Sequence, residues 1–143
     1  MQRFHVHLHV RDLESSVAFY RRVFGSEPDV LKSDYAKWLR DDPALNFALS
    51  QTEAGFGISH LGLQLDSDEA LGEIRSRIAA GGLQSLDQKD AACCYARSDK
   101  AWVEDPDGVR WEAFRTHGAI DDYGNDLLDR PQRTDQPAQT NCC

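Results

Sequence analysis

The chain has 143 residues, enough to bury one core without staples; its 24 acidic against 16 scattered basic side chains, a net charge of −8, argue against a phosphate-backbone partner. No apolar run reaches the roughly 18 residues that span a bilayer, and MQRFHVHLHV lacks a signal peptide's continuous apolar core. A soluble, cytoplasmic protein without nucleic-acid or membrane partners is expected, and the two adjacent cysteine pairs, Cys93–Cys94 and Cys142–Cys143, suit reduced thiols better than a disulfide framework.

Residues 4–10, FHVHLHV, alternate strictly and predict a half-buried strand, with Phe4, Val6, Leu8 and Val10 on one face and His5, His7 and His9 on the other. Asp12 is a helix N-cap candidate, and Leu13, Val17, Tyr20 and Phe24 recur at helical spacing until Gly25. Short β-type segments follow at about 28–32, 35–41 and 45–50, giving one βαβββ module over 3–51, and residues 52–57 read as a linker.

The pattern then begins again. Setting residues 5–24 against 60–79, an offset of 55 without a gap, aligns His5 with His60 and places Val6, Leu8 and Val10 on Leu61, Leu63 and Leu65. In the helices the same alignment sets Phe19 and Val23 on Ile74 and Ile78. The second module, 58–117, continues with a strand near 83–87, a longer insertion carrying Cys93–Cys94, and strands near 100–104 and 109–116 joined by Asp105-Pro106-Asp107-Gly108. The expectation is an α+β protein: one domain over 1–117 whose two βαβββ modules pair their sheets around a metal-binding cleft. Residues 118–143 read as a flexible acidic tail ending in Cys142–Cys143.

If the modules are related by a pseudo-twofold axis, His5 and His60 face each other across that cleft. Imidazole suits Fe, Zn, Ni and Cu, and a strand carboxylate would complete a two-His, one-carboxylate set with positions open for chemistry. Glu112 is the natural third ligand and the catalytic carboxylate, and its counterpart in the first module is Ala48. The competing reading makes each a surface or hydrogen-bonded core residue. His7 and His9, whose repeat partners are Gly62 and Gln64, are expected to support the site or face solvent, and His117 to be exposed.

Adjacent thiols can both bind one soft centre, so Cys93–Cys94 is either a clamp for a thiophilic substrate or a pair of small buried or redox-sensitive residues. Lys100 is close enough in sequence to favour thiolates, Tyr95 and Lys100 are candidates for supporting a mobile cysteine loop and its substrate, and Trp102 with Trp111 reads as a cross-strand core pair. Cys142–Cys143 is either a capture site for a soft metalloid or incidental.

HVxLxVxDLxxSVxFYxxxFG at the start, HLGLQL in the middle and ACCYAxxDKxWVxDPDGxxWE near the end resemble the vicinal oxygen chelate superfamily. The last motif is similar to the ArsI-type carbon–arsenic lyases and their cadmium-induced CadI-like relatives. The resemblance implies the vicinal oxygen chelate fold and a non-haem Fe(II) centre held by His5, His60 and Glu112. It also implies Cys93 and Cys94 as thiolate ligands of a trivalent methyl- or aryl-arsenical, and O2-dependent cleavage that releases arsenite. The alternative it leaves is a non-catalytic protein that binds Cd(II) or As(III). An ordinary glyoxalase or thiol transferase fits less well, given the vicinal thiols and the missing fourth ligand. Either a monomer or a homodimer is compatible with the pattern.

Overall fold

The computed structural model describes residues 1–53 and 55–125. Its centre is the histidine strand β1 (Arg3–Val10), which carries a module on each side. The first module continues through α1 (Leu13–Phe24), β2 (Val30–Leu31), β3 (Tyr35–Asp41) and β4 (Ala44–Gln51). The second is β5 (Gly57–Gln64), α2 (Asp68–Ala80), β6 (Leu86–Cys93), β7 (Ala96–Glu104) and β8 (Arg110–Ala119). The expected pair of βαβββ modules is present, but they do not form two separate sheets. Antiparallel pairing of β1 with β5 fuses them into one curled eight-stranded sheet, in the order β2-β3-β4-β1-β5-β8-β7-β6.

One face of this sheet is covered by the helices. Asp12 caps α1 by accepting the Ser15 N–H at 2.8 Å, and Gly25, at φ 66°, ends it with an N–H bond to the Arg21 carbonyl. Leu13 and Val17, with Tyr20 and Phe24 beside them, pack on Trp38, Phe47 and Leu49 and on the apolar face of β1. Ser67 caps α2 through the Ala70 N–H at 3.1 Å, and Leu71 and Ile74 join a second cluster with Leu65, Ala101 and Ala113.

Three local expectations change. Val17, Tyr20 and Phe24 correspond in packing to Leu71, Ile74 and Ile78, an offset of 54 rather than 55. Phe19 and Val23, aligned at 55 with Ile74 and Ile78, are instead 59% and 58% exposed, because a one-residue slip turns a helix by about 100°. The histidine face of β1 is also not half-open: His5, His7 and His9 are buried beneath the concave side of the curled sheet. Finally, the boundary expected after residue 117 falls inside β8, and Tyr123–Asn125 pair back onto the end of β6.

Candidate metal centre and thiol turn

Register explains why three distant residues meet. β1 and β5 run antiparallel with His5 opposite Gly62 and His7 opposite His60, so both strands turn imidazoles to the concave face. β8 lies parallel to β5 with Glu112 beside Gly62, and a side chain on Gly62 would collide with the Glu112 backbone. On the other side of the pseudo-twofold, β4 sets Ala48 beside His7, so the first module has an alanine where the second has the carboxylate.

The resulting donors are close. His5 Nε2 and His60 Nε2 are 3.3 Å apart, and Glu112 Oε2 lies 3.1 Å from His60 Nε2 and 3.9 Å from His5 Nε2. Ligands about 2.0–2.2 Å from a common divalent ion stand roughly 3–4 Å from one another, so the three atoms fit a shared metal. The second oxygen of Glu112 receives the Lys100 ammonium at 2.8 Å. Protein oxygens orient both imidazoles from behind, with His5 Nδ1 on the Asn46 carbonyl and His60 Nδ1 on Ser59 Oγ, each at 3.0 Å.

Electrostatics favours the ligating forms. Burial lowers the His5 pKa, His60 adds to this, and Glu112 only partly opposes it, so the group is pushed down to about 4 and is neutral at pH 7. Burial would raise Glu112, but Lys100 with the two histidines reverses this and holds the carboxyl well below its usual range. Burial likewise works against the Lys100 charge, yet Glu112, Cys93 and Cys94 outweigh it and the pKa is raised. A neutral imidazole at His5 and an ionised carboxylate at Glu112 are forms that a divalent cation can bind.

Cys93 and Cys94 line the same cavity, of about 40 Å³, as His5, His60, Lys100 and Glu112. They do not lie on a loop. Cys93 is the buried last residue of β6, paired with Ala96, and Cys94–Tyr95 is a two-residue hairpin turn with φ 57° and 61°. Positive φ at both central positions is the type I′ pattern, which favours Asn and Gly, so two side-chain-bearing residues sit there at a cost. Neighbours hold them. Tyr95 donates its hydroxyl to Asp34 Oδ1 at 2.6 Å, the Cys94 N–H bonds to the Tyr123 carbonyl, and the Ile120 N–H bonds to the Tyr95 carbonyl at 3.0 Å.

Other expectations are redistributed. Tyr95 does not line the cavity; its ring packs near Tyr35 and Tyr123 beside the turn. Trp102 and Trp111 are not a pair, because β7–β8 register sets Trp102 opposite Glu112 and Val103 opposite Trp111, which places the two indoles on opposite faces. Trp102 instead stands edge-on to His60, with centroids 5.0 Å apart. His117 is largely exposed and pairs with Asp99 at 3.0 Å. Cys142 and Cys143 lie outside the described residues.

His7, expected to support the site or face solvent, lines the cavity and is 1% exposed, and Ser50 and Tyr123, which carry no local signal, stand behind it. His7 Nε2 lies 2.7 Å from Ser50 Oγ, which lies 2.7 Å from the Tyr123 hydroxyl, itself 3.6 Å from Cys94 Sγ. The alternation of β1 carried the signal for His7: whatever faces the site at position 5 is followed two residues later by a neighbour on the same side.

Paired modules, a fused sheet and an imidazole–carboxylate cluster on its concave face define a class, and residues 2–113 match the family model of the Glyoxalase/Bleomycin resistance protein/Dioxygenase superfamily. The chain belongs to that superfamily. An extradiol ring-cleaving dioxygenase from B. fuscum shares the fold, with a TM-score of 0.61 at 19% identity over 82% of this chain and 33% of that one. Within the superfamily, the chain is 41% identical to the trivalent organoarsenical cleaving enzyme of Bacillus sp. (strain MD1), over 85% of its own length and 78% of the relative's. It is 32% identical to the cadmium-induced protein CadI of Mycobacterium bovis, over 87% and 83% of the two lengths.

Proposed function

We propose that this protein is an Fe(II)-dependent dioxygenase that cleaves the carbon–arsenic bond of trivalent organoarsenicals and releases arsenite. The observation that carries the reading is the shared cavity: an adjacent thiol pair opens onto the same small space as His5, His60 and Glu112. His5, His60 and Glu112 would hold the metal, and bound Fe(II) would supply the activation of O2.

The chain's own residues account for substrate handling. Cys93 and Cys94 exchange their two S–H bonds for two S–As bonds, and the arsenical's two hydroxyls leave as water, so the step is neutral in protons and electrons. The buried Lys100 ammonium favours the thiolate forms through its charge while fixing Glu112 through its hydrogen bond. The turn at Cys94–Tyr95, held by Asp34 and by the Ile120 N–H, keeps the thiols on the cavity that His5, His60 and Glu112 line, which would convert a bimolecular encounter into an oriented one. A cavity of about 40 Å³ suits a methyl group better than an aryl ring. Thiols outside any disulfide suit the reducing cytoplasm.

Aerobic incubation of the Fe(II)-loaded protein with a methyl-As(III) substrate should consume O2 and release arsenite together with the methyl carbon as formaldehyde, and an anaerobic control should release neither. Cys93→Ala and Cys94→Ala should each abolish release while iron content stays intact; unchanged turnover rejects the clamp. Likeness to a cadmium-induced protein favours one second reading, a non-catalytic binder of Cd(II) or As(III). It would show tight metalloid binding and no loss of the organic group in the same assay.

A further inference from the structure

The concave face holds one imidazole more than the two-histidine, one-carboxylate set requires. We infer that His7 is a further metal-binding residue of this centre, so that a divalent cation of borderline softness meets three imidazoles and one carboxylate. The inference rests on the metal centre proposed above and changes its composition.

Several observations converge on His7. Register sets it directly opposite His60, two residues along the same face from His5. One candidate ligand atom from each of His5, His7 and His60 falls within 4.8 Å of the others. Nitrogens about 2.1 Å from one ion can be at most about 4.2 Å apart, so small side-chain rotations bring the three into range. The rings are 5%, 1% and 2% exposed, which leaves water little part in solvating them.

Polar neighbours orient all three rings, but not by the same nitrogen. Ser50 Oγ lies 2.7 Å from His7 Nε2 and the Tyr123 hydroxyl fixes Ser50 in turn, whereas Asn46 and Ser59 hold His5 and His60 through Nδ1, so with the Ser50 bond in place a cation would meet His7 at Nδ1. Packing three imidazoles together buries polar nitrogen with little apolar return, and a shared cation offsets that cost. The pseudo-twofold makes the asymmetry plain, since the position equivalent to His7 is Gly62, which has no side chain to offer.

Three imidazoles shift preference along the divalent series towards Ni(II), Cu(II) and Zn(II). The test uses the full chain stripped of metal and reloaded. With Cu(II), hyperfine spectroscopy should count three coordinated imidazole nitrogens in the wild type and two in His7→Gln, whose amide can keep the Ser50 hydrogen bond. Co(II) affinity should fall about tenfold or more in the same variant. In the wild type alone, Zn(II) should shift the ring-nitrogen NMR signals of three buried histidines, which keeps the inference testable even if His7→Gln does not fold. Equal nitrogen counts and affinities in wild type and His7→Gln, or Zn(II) shifts at only two buried histidines, overturn it. Retention of metal by both His5→Ala and His60→Ala would instead overturn the centre as a whole, a different outcome.

Discussion

The two modules share one scaffold and contribute unequally to the lining of the concave face. β1 of the first contributes His5 and His7, and its β4 has Ala48 at the place of the carboxylate. The second contributes His60 from β5, Glu112 from β8, Lys100 from β7 and the thiols at the end of the β6–β7 hairpin. Where the second module sets Lys100 opposite Phe114, the corresponding register in the first sets Tyr35 opposite Ser50. Duplication therefore preserves backbone pairing and helix caps while leaving the concave face free to diverge, because only the convex face must hold the helices.

The largest test of this division removes the buried ion pair of Lys100 with Glu112. Lys100→Met keeps most of the side-chain volume but leaves Glu112 buried, 4% exposed, without its ammonium. Losing one partner of such a pair costs roughly 3–5 kcal/mol, measurable by urea unfolding of the metal-free protein. Full stability would show that Glu112 is satisfied by the histidines alone.

A smaller effect concerns what the modules share. Ser67 caps α2 at the position equivalent to Asp12 of α1, and Ser67→Ala should cost about 1 kcal/mol with metal affinity unchanged. A metal-binding defect in that variant would mean that the helix layer and the site are coupled.

The smallest effect at neutral pH lies where the modules touch through the thiol turn. The hydrogen bond to Asp34 is the main cause that pushes the Tyr95 pKa from 10.0 up to about 12, with partial burial adding to it. A pKa raised in the folded state contributes stability that is full below pH 10 and is lost as pH climbs through about 12. Tyrosinate absorbance should titrate later in the wild type than in Asp34→Asn, and the decline in stability over that window should flatten in the variant. Superimposable titrations would remove Asp34 as the anchor of the turn.

Much of this architecture was legible beforehand. Strict alternation in FHVHLHV, the match of His5 with His60, and the caps at Asp12 and Gly25 all depend on local periodicity and backbone preference, which a sequence displays directly. The hairpin that carries the thiols was not legible as such. Its turn residues are Cys94 and Tyr95, neither of which advertises positive φ, and contacts to Asp34, Ile120 and Tyr123 far away in the chain hold them there.

Local pattern alone predicted two modules, the faces of their strands, and His5, His60 and Glu112 as candidates for one centre. Tertiary structure alone decided that the modules fuse through β1 and β5, that His7 is buried beside that centre, and that Trp102 and Trp111 part company. The physical reason is the same in each case. Periodicity of two assigns a side chain to a face, whereas which face is covered, and by what, follows from strand register and sheet curl set by residues tens of positions away.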